Sequence, residues 1–125
     1  MQKTIEYTQE DVEAIFTGGA CHIFALALKE KYPHLQLGIL QDKDYTFYDE
    51  PAIAHVFCYL DGVIYDVRGK QKAHELITQF RPNKPKFKWD ISVDYINQRI
   101  GTALCDFHGF YTKLAKNIID SNIIL

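Results

Sequence analysis

Two runs of β-branched and aromatic residues, Ile53 to Leu60 and Val63 to Val67, meet at Asp61-Gly62, and no other stretch restricts the fold of this chain so tightly. Asp-Gly suits a two-residue hairpin turn, because both of its positions need positive φ. The register follows by counting: Leu60 faces Val63, Phe57 opposes Asp66 and His55 opposes Arg68. One side of the hairpin carries Val56, Cys58, Leu60, Val63, Tyr65 and Val67, which suits a core. The other carries His55, Phe57, Tyr59, Ile64, Asp66 and Arg68, so His55 and Asp66 become diagonal neighbours within side-chain reach.

The flanking sequence supplies helices. Thr8 and Asp11 have the form of a capping box, and Val12, Ile15 and Phe16 follow at helical spacing over residues 9–16 until Gly18-Gly19. Cys21 to Lys31 is apolar on nearly every side until its terminal charges, the pattern of a core helix, and Tyr32-Pro33 ends it. Leu35 to Leu40 reads as a strand and Gln41 to Pro51 as a polar loop. Lys70 to Phe80 reads as a surface helix with Ala73, Leu76, Ile77 and Phe80 inward, and residues 81–88 as a basic connector with Arg81, Lys84, Lys86 and Lys88. Helices are expected over 92–100 and 107–120, and the aliphatic end, Ile118 to Leu125, as core.

At 125 residues and 47% hydrophobic, the chain is expected to form one domain, 1–125, able to bury a core without metals or disulfides. A formal charge of -2 provides no field for holding nucleic acid or an anionic membrane, so neither partner is expected. Cys21, Cys58 and Cys105 are odd in number and widely spaced, which fits neither a zinc motif nor a disulfide framework. With no apolar leader and no run long enough to span a bilayer, the expected location is the cytoplasm; export by a route without a Sec leader would leave no mark.

Cys21 stands in the first turn of its helix, directly after Gly18-Gly19-Ala20. Free N–H groups and the helix dipole there favour a thiolate and can face an oxyanion, which makes Gly19, Ala20 and His22 the candidate substrate or oxyanion contacts. A nucleophile needs a base and a group that orients it, and the hairpin supplies His55 with Asp66 beside it. Each residue also has an ordinary structural role: a small core residue, a satisfied strand histidine and a surface ion pair. Cys21 and His22, about 100° apart on a helix, would chelate one ion poorly, and neither metal nor cofactor is expected. His34, His74 and His108 lie in polar or helical contexts and read as solvent-exposed.

Gly19-Ala20-Cys21-His22-Ile23-Phe24-Ala25 resembles the Gly-x-Cys-x-x-Phe-Ala segment around the nucleophile of transglutaminase-like proteins, a branch of the papain-like thiol enzymes. His55 to Asp66 resembles their second and third motifs, a His opening one strand and an Asp ending the next; together the match spans residues 18–68. The resemblance implies an α+β, papain-like (transglutaminase-core-like) domain with a buried Cys-bearing helix on a small antiparallel sheet. It also implies Cys21 as nucleophile, His55 as general base and acid, and Asp66 orienting His55. Residues 15–20 lack the Gln of papain-type peptidases, and His22 replaces the Trp that follows the nucleophile in transglutaminases, the only Trp being Trp89. The expected function is therefore a cysteine-dependent hydrolase, deamidase or acyl transferase acting on an amide or thioester, with a protein or peptide as substrate. The rival reading is a non-catalytic binding or inhibitor module on the same scaffold.

Overall fold

The computed structural model describes residues 8–47, 49–100 and 109–121. Helices α1 (Gln9–Thr17) and α2 (Cys21–Lys31) lead into strands β1 (Gln36–Phe47), β2 (Glu50–Leu60), β3 (Val63–Asp66) and β4 (Gly69–Gln71). Helix α3 (Ala73–Phe80), strand β5 (Pro85–Ile91), helix α4 (Val93–Ile100) and helix α5 (Phe110–Ser121) follow. The fold is α+β, with a five-stranded antiparallel sheet in the order β4-β3-β2-β1-β5. His108 and residues 122–125 lie outside the described residues; His34 and His74 are exposed.

The hairpin forms as its sequence dictates. Asp61 and Gly62 take φ of 51° and 78°, and Leu60↔Val63, Tyr59↔Ile64 and Cys58↔Tyr65 pair. Strand β3 stops at Asp66 and turns through Val67-Arg68 into β4, so the expected Phe57–Asp66 and His55–Arg68 pairings give way to Asp66↔Gly69.

Alternation along the strands divides the molecule into layers. Leu37, Ile39, Val56, Cys58, Tyr65, Val67 and Ile91 pack against α2 and against Val12, Phe16, Ile96, Ala115 and Ile119 of the other helices. Leu40, Phe57 and Ile64 point the opposite way and are covered by Leu76, Ile77 and Phe80 of α3. The β2 hairpin is thus buried on both sides, which explains why its second face, bearing His55 and Asp66, also carries Phe57 and Ile64.

Two segments read as loops are strands. Gln41 to Phe47 continues β1 beyond Leu40 because its buried charged residue is bonded internally: Asp42 accepts from the backbone N–H groups of Asp44, Asn83 and Lys84 at 3.0, 2.9 and 3.1 Å. Residues 85–91 form the edge strand β5, with Phe87 and Trp89 stacked at 4.9 Å and Pro85 at its first position, where a missing N–H costs no ladder bond. The helix expected from Lys70 begins at Ala73 instead, after β4.

Gly38 lies against this second face. A Cβ there would stand 2.7 and 2.9 Å from Phe57 ring carbons and 3.3 Å from Tyr59. Gly38→Ala is therefore expected to lower stability by about 1–3 kcal/mol through overpacking, read as a fall in the urea midpoint at unchanged slope.

Candidate active site

Helix α2 starts without a side-chain cap, at Ala20. The chain enters it closely packed against α1: a Cβ at Gly18 would lie 3.0 Å from the Ala14 carbonyl oxygen, so a larger residue would push the turn away. The uncapped amides are used locally. Backbone N–H groups of Val56, His22 and Cys21 itself lie near the Cys21 sulfur and favour its charged form.

The Val56 contact follows from strand parity. In the pair Leu60↔Val63 the backbone groups point at each other, so those of Cys58 and Val56 point the same way. The β2–β3 ladder ends at Cys58↔Tyr65, and beyond it the Val56 N–H faces the Cys21 sulfur where β3 departs. The thiol therefore reaches the sheet one residue from His55.

His55 and Asp66 come together as the hairpin count requires, with His55 Nε2 2.9 Å from Asp66 Oδ2. Asp66 accepts three more hydrogen bonds: Arg68 N–H at 2.8 Å and Gln71 Nε2 at 2.6 Å on Oδ1, and the Arg68 guanidinium at 2.9 Å on Oδ2. The His55 ring stacks on Phe80 at 4.3 Å, and among the described residues its Nδ1 has no hydrogen-bond partner. With Nε2 held by a carboxylate, Nδ1 is the nitrogen left to carry a lone pair. Among the described residues no hydrogen bond joins Cys21 to His55: the thiol packs in the core on the α2 side of the sheet, while the imidazole stacks on Phe80 on the α3 side, with Val56 between them in sequence.

All three groups are buried: Cys21 is 8% exposed, His55 0% and Asp66 2%. Burial pushes the Cys21 thiol up to about 11, against the three N–H groups, and the Asp66 charge adds to the rise. The thiolate expected from the helix start is thus corrected to a thiol at neutral pH, because loss of water outweighs the amides and dipole. Burial also lowers His55, more than hydrogen bonding to Asp66 raises it. For Asp66 burial acts upward, but the bonds from His55 and Arg68 outweigh it and hold the carboxyl below its ordinary value. The resting arrangement is thiol, neutral imidazole and carboxylate.

Two depressed pKa values have one consequence for stability. On acidification the unfolded chain binds protons before the folded one. The contribution of His55 is complete above its ordinary value of 6.5 and is lost as pH falls from there through its folded value; that of Asp66 is lost below 3.8. Urea midpoints should therefore fall between pH 7.5 and 5, and His55→Phe should flatten that stretch of the curve.

Of the other expected contacts, Gly19 is exposed, Ala20 is 5% exposed and His22 is 1% exposed, its backbone N–H facing the sulfur while its side chain lies inside the domain. Gly19 and Ala20 line an open recess of about 240 Å³ with Ala14, Ile15 and Tyr111. The ion pair read from sequence between Asp66 and Arg68 forms, buried rather than on the surface, whereas Gln71 was not evident as an Asp66 ligand. Recognising a second tight turn at Val67-Arg68 would have paired Ile64 with Gln71 and set Gln71 on the Asp66 face.

No curated protein and no solved structure matches this chain. A family model described as Phage YunG-like protein matches residues 1–97, which hold Cys21, His55, Asp66 and all five strands. The match covers well over half of the sequence, and the chain belongs to the Phage YunG-like family.

Proposed function

We propose that the protein is a thiol acyl hydrolase or transferase of the papain-like, transglutaminase-core-like type, acting on an amide or thioester through Cys21, His55 and Asp66. The observation that carries this reading is His55 fixed through Nε2 by a fully hydrogen-bonded Asp66, its Nδ1 without a hydrogen-bond partner among the described residues, and next in sequence to Val56, whose backbone N–H faces the Cys21 sulfur.

The chemistry suited to these protonation states is general-base attack rather than a preformed thiolate. The Cys21 proton passes to His55 Nδ1 as sulfur bonds to the acyl carbon, and the oxyanion is met by N–H groups at the start of α2. Collapse breaks the bond to the amine or thiol leaving group, which takes the proton from His55. Water then attacks the thioester, giving a proton to His55 and its hydroxyl to the acyl carbon. The carbon–sulfur bond breaks and the sulfur recovers its proton from His55. Asp66 holds the Nε2–H tautomer throughout and stabilises the imidazolium as it forms.

A second reading, a binding module on the same scaffold, is favoured by one observation: thiol and imidazole are closed off from solvent, at 8% and 0% exposure. Incubation with p-nitrophenyl acetate followed by intact-mass and peptide analysis separates the two. The enzyme reading expects an acetyl adduct on Cys21 that hydrolyses with time. Absence of the adduct, or acetylation of lysines alone, would favour the binding module.

A further inference from the structure

We propose that the pocket between the β1–β2 arm and the last turn of α4 is a binding site of its own. It takes an uncharged ligand with an apolar body and a carbonyl oxygen, and that oxygen accepts from Arg99 Nε–H. Nothing in the acyl-transfer reading is needed for it. Its shape begins with a register jump. Pairing of β1 with β2 passes from Asp42↔Ala52 directly to Thr46↔Pro51, so residues 43–45 bulge out of the ladder, with the Lys43 N–H donating to the Lys84 carbonyl at 2.9 Å. The space between this arm and α4, about 440 Å³, is lined by Tyr45, Thr46, Ala52, Ile53, Arg99 and Ile100. That volume falls within the roughly 300–1,000 Å³ of small-molecule sites.

Arg99 is the single charged residue in this lining, and its side chain is 9% exposed. Helical spacing sets it beside Tyr95, four residues earlier. Nη1 donates to Glu50 Oε2 at 2.7 Å and to the Tyr95 hydroxyl at 3.2 Å, and Nη2 donates to the Pro51 carbonyl at 3.1 Å. Those three partners are not part of the pocket wall. The buried Nε–H has no hydrogen-bond partner among the described residues. A guanidinium holds its N–H groups in a fixed plane, so the Nε edge is the part with capacity left for a ligand. A buried donor without an acceptor costs stability, and an acceptor brought by the ligand returns it.

Charge decides the ligand class. The Glu50 carboxylate at 2.7 Å already balances Arg99, and no other cationic side chain lines the pocket. A ligand carboxylate would face the Glu50 charge and lose water without a counter-charge of its own, whereas a carbonyl accepts from Nε–H without that cost. The rest of the wall, Ala52, Ile53, Ile100 and the Tyr45 ring, suits an apolar body.

4-Phenylbutanamide and 4-phenylbutanoate share one shape and differ in charge. Titrated into the ¹⁵N-labelled protein, the amide should shift the Arg99 Nε–H resonance saturably, and the carboxylate should bind about tenfold more weakly or worse. Arg99→Met removes the donor while Glu50 stays 41% exposed to water and the Pro51 carbonyl keeps the Gln41 Nε2 donor at 3.3 Å. Ala52→Phe fills the pocket from the strand side. Each variant should weaken amide binding about tenfold or more, read from the Tyr45 and Ile53 backbone amide resonances. If one variant melts well below the parent, the other decides; if both do, the wild-type Nε–H resonance decides. An Nε–H resonance that stays in place, or amide binding undiminished in a folded variant, would overturn the site. Carboxylate binding as tight as that of the amide would overturn the uncharged ligand class.

Discussion

Asp66→Ala is expected to destabilise the domain by about 3–5 kcal/mol, because it strands several buried polar groups at once. His55 Nε2, the Arg68 backbone N–H and guanidinium, and Gln71 Nε2 all lose their acceptor, inside a site where Asp66 is 2% exposed. A loss of this size is a large part of the roughly 5–15 kcal/mol that holds a domain together. It should lower the melting temperature by about 10–20 °C. Asp66→Asn is the informative comparison. Its carbonyl oxygen can still accept from the Arg68 N–H and Gln71, so most of the stability should return, while its amide presents a donor to His55 and forces the imidazole into the other tautomer. Calorimetry on the three proteins at pH 7.5 checks the order wild type, Asn, Ala. An alanine variant that melts with the parent would mean that solvent enters and satisfies these groups, and that the site is more open than its burial implies.

The same carboxylate marks where sequence was informative and where it was not. Hairpin pairing is local, set by Asp61-Gly62 and a period of two, so the meeting of His55 and Asp66 could be counted from the turn without knowing anything else about the fold. Helix α1 was equally legible, since Thr8 and Asp11 cap it through neighbours three residues apart. The path of β1 past Leu40 was not. Its buried charged residue, Asp42, is tolerated only because Asn83 and Lys84, some forty residues later, bring their N–H groups to it. Strand β5 was hidden for a related reason: Lys86 and Lys88 alternating with Phe87 and Trp89 suit an edge strand, yet as composition the lysines resemble a solvated connector. The protonation state of Cys21 lay furthest from sequence. The helix start argues for a thiolate, and only packing against Val56 and the sheet shows that burial outweighs it.

That balance makes catalysis by Cys21 depend on His55 more than on the helix. A thiol pushed up to about 11 is almost wholly protonated at neutral pH, so a base must remove its proton during attack. His55→Ala should therefore slow acylation of Cys21 by p-nitrophenyl acetate about 10²–10⁴-fold at pH 7.5, the range typical of a lost general base. In the wild type the rate should rise as His55 becomes neutral and then level off. In the alanine variant it should instead climb about tenfold per pH unit toward the thiol pKa near 11, because hydroxide would then do the work of the imidazole. Cys21→Ser should show no acyl adduct at this position on the same timescale, since a serine hydroxyl is a far weaker nucleophile. Alkylation by iodoacetamide gives an independent measure of exposure: Cys58, 0% exposed and pushed up to about 12, should react more slowly than Cys21. Parallel pH profiles for wild type and His55→Ala would mean that the Asp66–His55 pair is a structural cross-link between β2 and β3, and that Cys21 is a core residue at the point where those strands separate.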